Sequence, residues 1–459
     1  MRGAVFLEER ILQFGEGNFL RGFADYFVNE LNEKADYDSA VVVVKPRAGG
    51  SCEKINEQRG EYTTILRGIK DGKVFEEIKK NKCISRAINP YMRFCQFIAL
   101  ARFEELKLVF SNTTEAGIVF DENDSPLDEP PSSFPGKVTR FLLERYRYFD
   151  ASPDAGLVFL PCELIDRNGD RLKECVMKYA DLWRLDDGFK EWVKNCCVFT
   201  NTLVDRIVAG YPKADAAQWE EKLGYKDELM VEAEPFHLWV IEGMGDKKDL
   251  LPLDKYGYNV IFTDDYMPYK IRKVRILNGA HTMSVMAAHM CGFETVLDMM
   301  NDDVFERYIK KGLFEEIIPS TDALSNEELS DYAKSVLERF KNPYIKHRLL
   351  DICLNSSAKY RERIVPSLVS YYDKNAALPP VLTFSLAALI MFYRGESASD
   401  DAKVISFIKE NDTDTVLADK NLWGCDLSKM DGLANKVDDI IERCKKEGIR
   451  NVMESILEQ

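Results

Sequence analysis

The sequence predicts an α/β domain with a parallel sheet, followed by a mainly α-helical domain, with the boundary near residues 262–268. Strand-like and helix-like segments alternate in the first half, as they do when helices connect the parallel strands of a sheet. Helical periodicity dominates from about Pro268 onward. The length of 459 residues, about three times the ~150 residues of one domain, favours two or more domains. We therefore predict a first domain at residues 1–265 and a second at 266–459.

The predicted strands of the first domain are short apolar runs. Residues 40–44 (AVVVV) are uninterrupted and mostly β-branched, which is typical of an inner strand of a parallel sheet that is covered on both faces. Residues 121–136 hold four prolines and many acidic residues, so a surface loop is predicted there. In chain order the predicted strands are 10–14, 40–44, 106–110 and 157–160, and the predicted helices of this half include 20–33 and 137–148.

The second domain is predicted to consist of helices. Pro268 suits the first turn of a helix, where a backbone N–H is not needed, and Asp264 or Asp265 precedes it as a candidate cap. The predicted helices are 268–299, 302–316, 325–341, 343–358, 361–374, 380–394, 401–411 and 432–457.

The composition excludes several classes of protein. Hydrophobic residues make up 46% and charged residues 30%, which is typical of a globular chain and not of a disordered one. The net charge of −15 repels phosphate backbones, so no nucleic-acid partner is expected. The longest apolar run, residues 381–393, is too short to span a bilayer, so we predict a buried helix and no membrane association.

Cysteine and histidine usage favours a cytoplasmic protein without a metal site. The 11 cysteines form no CxxC pair and are expected to be free thiols in a reducing compartment. The opening MRGAVFLEER lacks the apolar core of a secretory signal. Four histidines occur without an HExxH motif, so no catalytic metal is expected. We expect a monomer or weak oligomer that acts on a small molecule.

A glycine pair follows the first predicted strand and opens a helix. Gly15 can provide the tight turn of a dinucleotide fold, and Gly17 allows the backbone to approach a pyrophosphate at the helix N-terminus. Leu20 stands where the third glycine of the usual fingerprint would be, so an ordinary glycine turn remains an alternative. The first domain is thus predicted to be a Rossmann-type dinucleotide-binding domain. Its candidate cofactor-binding residues at this turn are Phe14, Gly15, Gly17, Asn18 and Phe19.

The end of the second predicted strand departs from the pattern of NAD-binding folds. Those folds usually place Asp or Glu there to hold the ribose hydroxyls. This sequence has Lys45 and Arg47, and a positive residue at this point favours the 2′-phosphate of NADP. The alternative is that both side chains are solvated, so this feature alone leaves the choice of cofactor open.

A polar segment follows the third predicted strand, at the edge of the sheet where such folds bind their ligand. Its hydroxyl and amide groups are suited to ribose or to the nicotinamide amide, and an ordinary polar turn is the alternative. The candidate cofactor-binding residues of this segment are Asn112, Thr113, Thr114 and Glu115.

The stretch 273–281 (KVRILNGAH) groups three polar side chains that can support hydride transfer. On an α-helix with Lys273 at zero, His281 lies at about 80° and Asn278 at about 140°. A lysine whose pKa is lowered can exchange the proton of a hydroxyl group, and an amide can stabilise the developing alkoxide. A solvated Lys273, a capping Asn278 and a core His281 are the alternative.

Four blocks of the chain carry a family resemblance. The chain resembles the long-chain, metal-independent mannitol dehydrogenase family of polyol and sugar-acid dehydrogenases over nearly its whole length. The resemblance implies a Rossmann domain followed by a helical domain, with the active site between them, and it favours NAD over NADP. The blocks are Gly15-x-Gly17-x-Phe19-x-Arg21, Thr114-Glu115-Ala116-Gly117, Thr202-Leu203-Val204-Asp205-Arg206-Ile207 and Lys273-x4-Asn278-x2-His281.

The resemblance also implies roles for individual residues. Lys273 is expected to be the general acid/base, Asn278 to stabilise the alkoxide and His281 to position the substrate, with Asp205 close to it. Lys359 matches a lysine of the family that contacts substrate. Two positions differ from the family pattern. Asp351 replaces an arginine eight residues before that lysine, and the block Cys162-Glu163-Leu164 lacks a second asparagine.

The implied activity is NAD-dependent hydride transfer to a keto sugar acid in hexuronate breakdown. A carboxylate substrate needs local positive charge on this acidic chain, and arginine binds carboxylates in a bidentate manner. We expect Lys359, with Arg361 or Arg363, to bind that carboxylate. The alternatives are a sister activity on fructuronate or on mannitol, and a non-catalytic dinucleotide-binding sensor.

Overall fold

The structure is a computed structural model that describes residues 7–49, 52–114 and 116–458. It divides into two compact units. The first extends to Tyr266, apart from Gly68–Lys73, and the second comprises Gly68–Lys73 together with the chain from Met267 onward.

The first unit contains the strands and eight of the described helices. Its strands are β1 (Glu8–Phe14), β2 (Ser39–Val44), β3 (Tyr62–Lys70), β4 (Lys73–Asn81), β5 (Ile84–Ile88), β6 (Leu108–Ser111), β7 (Val158–Pro161), β8 (Val198–Phe199), β9 (Asn201–Asp205), β10 (Val208–Gly210), β11 (Val231–Ala233), β12 (Leu238–Glu242) and β13 (Val260–Thr263), the tip of β3–β4 being grouped with the second unit. Its helices are α1 (Asn18–Gly22), α2 (Ala24–Lys34), α3 (Glu53–Glu57), α4 (Phe94–Ala99), α5 (Phe134–Tyr148), α6 (Asn168–Leu182), α7 (Asp187–Cys196) and α8 (Ala216–Leu223).

Six of the described strands form one parallel sheet in the order β5-β2-β1-β6-β7-β8. Counted along the chain, this is the 3-2-1-4-5-6 order of the Rossmann fold, and the strand order reverses between β1 and β6. Ligands of such folds bind beyond the carboxyl ends of the strands at this reversal. The predicted α/β fold class is therefore confirmed.

The uninterrupted apolar run of β2 follows from its two buried faces. Val41 and Val43 belong to one hydrophobic core, and Val42 and Val44 belong to the core on the opposite face. Because successive side chains of a strand point to opposite faces, helices on both sides of the sheet favour apolar side chains at every position from Ala40 to Val44. All six residues of the strand are buried.

Two smaller sheets complete the first unit, and the sequence analysis did not predict them. One has the order β10-β11-β3-β4, and the other has the order β13-β12-β9. Strand β4 (KVFEEIKKN) exposes most of its side chains, so its polar residues hide the strand pattern. Strands β10 and β11 have three residues each, which is too short for a periodic signal.

The second unit is helical, as predicted. Two π-helical segments, Lys273–Asn278 and Gly312–Ile317, extend α-helices within it. Its α-helices are α9 (Met267–Arg272), α10 (Gly279–Met290), α11 (Val296–Met300), α12 (Asp303–Lys311), α13 (Asn326–Phe340), α14 (Leu349–Cys353), α15 (Ser356–Arg363), α16 (Val365–Asn375), α17 (Pro380–Arg394), α18 (Ala402–Glu410), α19 (Thr413–Ala418), α20 (Lys420–Trp423), α21 (Leu433–Glu447) and α22 (Ile449–Leu457).

Three predicted helices are shorter in the structure than in the prediction. The predicted helix 268–299 ends at Met290, because Gly292 has a φ of +91° that closes the helix. The predicted helix 432–457 breaks at Gly448, where φ is +86°. The prediction of helix over 343–348 is wrong, since α14 begins only at Leu349. A left-handed residue cannot continue an α-helix, and apolar spacing alone does not reveal such a residue.

The apolar run 381–393 lies within α17, whose residues are almost all buried. This helix packs against α10 and α21 and forms the centre of the helical unit. Among the described residues, no helix is both long enough and apolar enough to cross a membrane.

Candidate active site

The glycine turn after β1 has the backbone that a close approach requires. Gly15 has a φ of +132°, and a Cβ atom on it would lie 2.8 Å from the carbonyl oxygen of Asn112. Only glycine fits both constraints. Gly17 precedes α1, and a Cβ atom on it would have no neighbour within 4 Å. The backbone of Gly17 therefore faces open space at the first turn of a helix, where a phosphate can approach the N–H groups.

Two buried side chains donate hydrogen bonds to backbone carbonyl oxygens of this turn. Gln13 Nε2 donates to the carbonyl oxygen of Gly15 and to Asp25 Oδ2, both at 3.1 Å. Arg21 donates to the carbonyl oxygen of Glu16 and, at 2.8 Å, to Asn18 Oδ1. The turn is thereby fixed without the third glycine of the usual fingerprint. Burial raises the pKa of Asp25 to about 7, although Gln13 and Arg21 oppose this shift.

The remaining predicted residues of the turn have different environments. Phe14 is buried against Phe97 and Phe134, with ring centroids 6.0 and 5.0 Å away. Phe14 therefore supports the turn from inside the core. Phe19 is half-buried and stacks on Phe23 at 5.2 Å.

The cations that follow β2 both have partners at the edge of the sheet. The ammonium group of Lys45 lies 2.5 Å from Glu16 Oε1. Arg47 donates to the carbonyl oxygen of Thr113 at 3.1 Å and to Thr114 Oγ1 at 2.5 Å. We call Gly15–Gly17, Lys45, Arg47 and Ser111–Thr114 the nucleotide edge. A pocket of about 220 Å³ opens beside Arg47, lined in part by Thr113, Gly117 and Ser133.

The polar segment after β6 is organised by a buried carboxyl group. Glu163 accepts hydrogen bonds from Ser111 Oγ at 3.0 Å, from the Thr113 backbone N–H at 3.0 Å and from Thr113 Oγ1 at 2.9 Å. Burial raises the pKa of Glu163, and these hydrogen bonds oppose the shift. The hydroxyl of Thr113 is thus directed inward, whereas Thr114, at a φ of +78°, is exposed. Asn112 donates to the carbonyl oxygen of Cys162 at 3.0 Å, and Glu115 lies outside the described residues.

In the second unit, the predicted catalytic stretch contains a π-helical segment. Lys273 and Asn278 are its first and last residues, and both are half-buried. The prediction of a continuous α-helix is wrong here, and the difference matters for the site. Hydrogen bonds from i to i+5 bring residues five apart onto the same side of the helix, whereas an α-helix separates them by about 140°. Segments of this kind occur frequently at functional sites.

His281 lies one α-helical turn further on, in α10, and is buried. Its ring stacks on Phe340 at a centroid distance of 4.1 Å and meets the ring of His347 edge-on at 5.0 Å. Its Nδ1 atom is buried without a hydrogen-bond partner among the described residues. Burial lowers the pKa of His281 well below its usual value, and positive neighbours lower it further. Both effects favour the neutral form of the imidazole.

The cations that lower the pKa of His281 are Arg363, Arg339 and Lys359, and we call these three residues the cationic cluster. Lys359 Nζ donates to the carbonyl oxygen of Ile352 at 2.9 Å. Arg363 donates to Thr282 Oγ1 at 3.2 Å. Both side chains are half-buried, and burial lowers the pKa of both groups. An anionic group at this position would offset their repulsion.

Two predicted substrate residues lie outside the cationic cluster. Arg361 donates to the carbonyl oxygen of Asn421 at 3.0 Å, next to α20. Asp205 is the last residue of β9 in the first unit, where it is buried opposite Leu238.

Sequence reasoning missed three residues that organise these sites. Arg21 belongs to a block that carried the family resemblance, but its spacing gave no hint of its contacts with the glycine turn. In the sequence, Glu16 is only the variable position between two glycines. Arg339 is one of several charges on the amphipathic helix α13, and nothing in the sequence distinguishes it from a solvated one.

Comparisons with known proteins match the chain to one family along its length. The family model described as the mannitol dehydrogenase Rossmann domain matches residues 9–255, and the mannitol dehydrogenase C-terminal domain matches residues 265–445. The altronate oxidoreductase of Yersinia pestis is 43% identical over 462 residues, covering 96% of this chain and 95% of the relative. The altronate oxidoreductase of Shigella flexneri is 44% identical over 466 residues, covering 96% of both.

Two solved structures share the fold. D-sorbitol dehydrogenase in substrate-free form aligns with a TM-score of 0.84 at 22% identity, over 98% of this chain and 95% of that one. The ternary complex of Pseudomonas fluorescens mannitol 2-dehydrogenase with NAD and D-mannitol aligns with a TM-score of 0.70 at 21% identity, over 99% and 95%.

Proposed function

Since the chain belongs to the mannitol dehydrogenase family, we propose that it is an NAD-dependent oxidoreductase that interconverts D-tagaturonate and D-altronate in hexuronate catabolism. The relatives named altronate oxidoreductase support this substrate pair, since they are 43–44% identical over 96% of the chain. The mannitol 2-dehydrogenase complex with NAD supports the choice of cofactor.

The cationic cluster is the observation in the structure that carries the choice of a sugar acid over a neutral sugar. Lys359, Arg363 and Arg339 are close enough to the buried imidazole of His281 to lower its pKa. On a chain with a net charge of −15, such a concentration of positive charge favours a site that binds an anion. We propose that it binds the carboxylate of the substrate, with Arg363 in bidentate contact.

The residues of the nucleotide edge fit a dinucleotide. Gly17 leaves open space for the pyrophosphate, and the Gly15 turn provides the close approach. Asn112 and Thr114 offer polar groups at the carboxyl end of β6 for the ribose or the nicotinamide amide. When bound, NADH supplies the hydride that reduces the keto carbon.

Lys273 gives a proton to the oxygen of the keto group as that oxygen gains negative charge, and in the reverse direction it takes the proton from the hydroxyl group. Asn278, brought to the same side of the helix by the π-helical segment, donates its amide N–H to the transient alkoxide. The neutral His281 offers a hydrogen bond to a substrate hydroxyl group. Asp205 is proposed to lie close to the substrate, as the resemblance to the mannitol dehydrogenase family implies.

A rate panel tests the proposal. The purified protein is assayed for NADH oxidation with D-tagaturonate, D-fructuronate and D-fructose, and each assay is repeated with NADPH. We expect the highest kcat/KM for D-tagaturonate with NADH. A higher value for D-fructuronate or D-fructose would assign the chain to a sister activity, and binding of NADH without turnover of any ketone would favour a non-catalytic sensor.

A further inference from the structure

The end of β2 carries basic residues where an acidic residue is usual. NAD-binding folds of this type place an acidic residue there, and it binds the ribose hydroxyls and disfavours a 2′-phosphate. Here the chain continues with Lys45 and Arg47, which by themselves would attract a 2′-phosphate. An enzyme that prefers NADH therefore needs another negative group at this point of the nucleotide edge.

Glu16 brings a carboxylate to this point. Its side chain extends from the glycine turn to the end of β2, where Oε1 lies 2.5 Å from Lys45 Nζ. The Lys45 side chain is 6% exposed and the Glu16 side chain is 29% exposed, so the carboxylate faces the solvent side of the pair. Among the described residues, Lys45 is the only one that donates a hydrogen bond to the carboxylate of Glu16.

The position of Glu16 is fixed at both its backbone and its side chain. The buried guanidinium of Arg21 donates to the carbonyl oxygen of Glu16, and the same group donates to Asn18. Lys45 holds the carboxylate at the other end. The residue is therefore held in one orientation before any ligand binds, which lowers the entropic cost of recognition.

We propose that Glu16 is the residue that determines the preference for NADH over NADPH, by taking the place of the acidic residue missing from β2. Its carboxylate neutralises Lys45 and leaves Oε2 to accept a hydrogen bond from a ribose hydroxyl group. A 2′-phosphate would face this negative charge at short range. The inference rests on the proposed dinucleotide binding and adds the residue that distinguishes the two cofactors.

The variant Glu16→Gln tests the inference, because it keeps the shape of the side chain and removes the charge. Dissociation constants for NADH and NADPH are measured by fluorescence titration, together with those of AMP and adenosine 2′,5′-bisphosphate. Removal of one charge a few ångströms from the 2′-phosphate is expected to reduce the preference for NADH over NADPH by about tenfold or more. The ratio between the two adenosine nucleotides should change in the same direction.

Two further variants make the result specific. Glu57→Gln makes the same charge change on an exposed residue of α3 and should leave the preference unchanged. Lys45→Met removes the cation but keeps the carboxylate, so it should weaken the binding of NADPH further. A variant that only loosened the turn would weaken the binding of NADH and NADPH equally.

The outcomes separate the inference from the proposed function. If the wild type prefers NADH and Glu16→Gln weakens both cofactors by the same factor, the role of Glu16 is overturned and dinucleotide binding stands. If the wild type binds neither NADH nor NADPH, the proposed function itself fails. A smaller preference for NADH over NADPH in Glu16→Gln, with an unchanged preference in Glu57→Gln, supports the inference.

Discussion

The imidazole of His281 stacks on the ring of Phe340 at a centroid distance of 4.1 Å, with the two planes inclined by 25°. This contact excludes water from one face of the imidazole, and the cationic cluster adds positive charge around it. Both effects favour the neutral form, so His281 can position a substrate without a change of charge across the physiological pH range.

The first prediction concerns the pH dependence of substrate binding. Because the pKa of His281 is lowered well below its usual value, we expect no ionisation of this imidazole between pH 6 and 8 in the pH profile of kcat/KM. His281→Asn keeps a hydrogen-bonding group and should raise the KM for D-tagaturonate by about tenfold or more, at a nearly constant KM for NADH. An ionisation near pH 6.5 that disappears in His281→Asn would contradict this assignment.

The second prediction separates the basic residues of α15. Arg363→Met and Lys359→Met should each raise the KM for D-tagaturonate by about ten- to a hundredfold, because each removes a cation from the proposed carboxylate site. The KM for D-fructose should change much less, since this ketose has no carboxylate. Arg361→Met is the matched comparison, because Arg361 contacts Asn421 next to α20. Equal effects of Arg361→Met and Arg363→Met would contradict the proposal that Arg363 binds the carboxylate.

The third prediction concerns the two glycines of the turn. Gly15→Ala places a Cβ atom 2.8 Å from a carbonyl oxygen at a φ of +132°, so it should lower the free energy of unfolding by roughly 1–3 kcal/mol. Gly17→Ala places its Cβ atom in open space and should leave stability nearly unchanged. It should nevertheless weaken NADH binding, because the methyl group occupies the proposed path of the pyrophosphate. Thermal unfolding and NADH titration of both variants check this, and a Gly17→Ala protein with unaltered affinity would argue against that path.

The fourth prediction concerns stability against pH. Burial raises the pKa of Asp25 from 3.8, the usual value of an exposed aspartate, to about 7 in the folded chain, so the folded state holds a proton that the unfolded state releases. The resulting stabilisation is fully present below about pH 4 and is lost as the pH rises through about 7. Asp25→Asn cannot ionise, so its free energy of unfolding should fall less than that of the wild type between pH 5 and 8, by a difference on the order of 1 kcal/mol or more. Denaturant unfolding at several pH values measures this, and parallel curves for the two proteins would rule out the shift.

The sequence was sufficient to predict the Rossmann-type unit because its strongest signals are local. The run of β2 needs two apolar faces, and Gly15 needs a left-handed φ, so both features can be read from a few residues. The strand β4 could not be predicted, because its exposed, charged side chains follow no apolar period. The helix ends at Gly292 and Gly448 depend on left-handed residues that apolar spacing does not reveal.

The candidate site was predicted in its residue types more than in its geometry. Lys273, Asn278 and His281 were identified from their spacing and the resemblance, but an α-helical wheel separates Lys273 from Asn278. The π-helical segment brings them to the same side of the helix, and apolar spacing does not reveal such a segment. Arg339 and the contact of Glu16 with Lys45 join residues far apart in the chain, so spacing could not reveal either of them.

The most direct test of the proposed mechanism is the Lys273→Met variant, because the mechanism assigns the proton for the reduced keto group to the amine of Lys273. Rapid-mixing experiments measure hydride transfer from NADH to D-tagaturonate in one turnover, and titration measures the affinity for NADH. We predict that the rate of hydride transfer falls by a factor on the order of 100 or more, while NADH affinity stays within about twofold of the wild type. Hydride transfer at the wild-type rate in Lys273→Met would contradict the proposed mechanism.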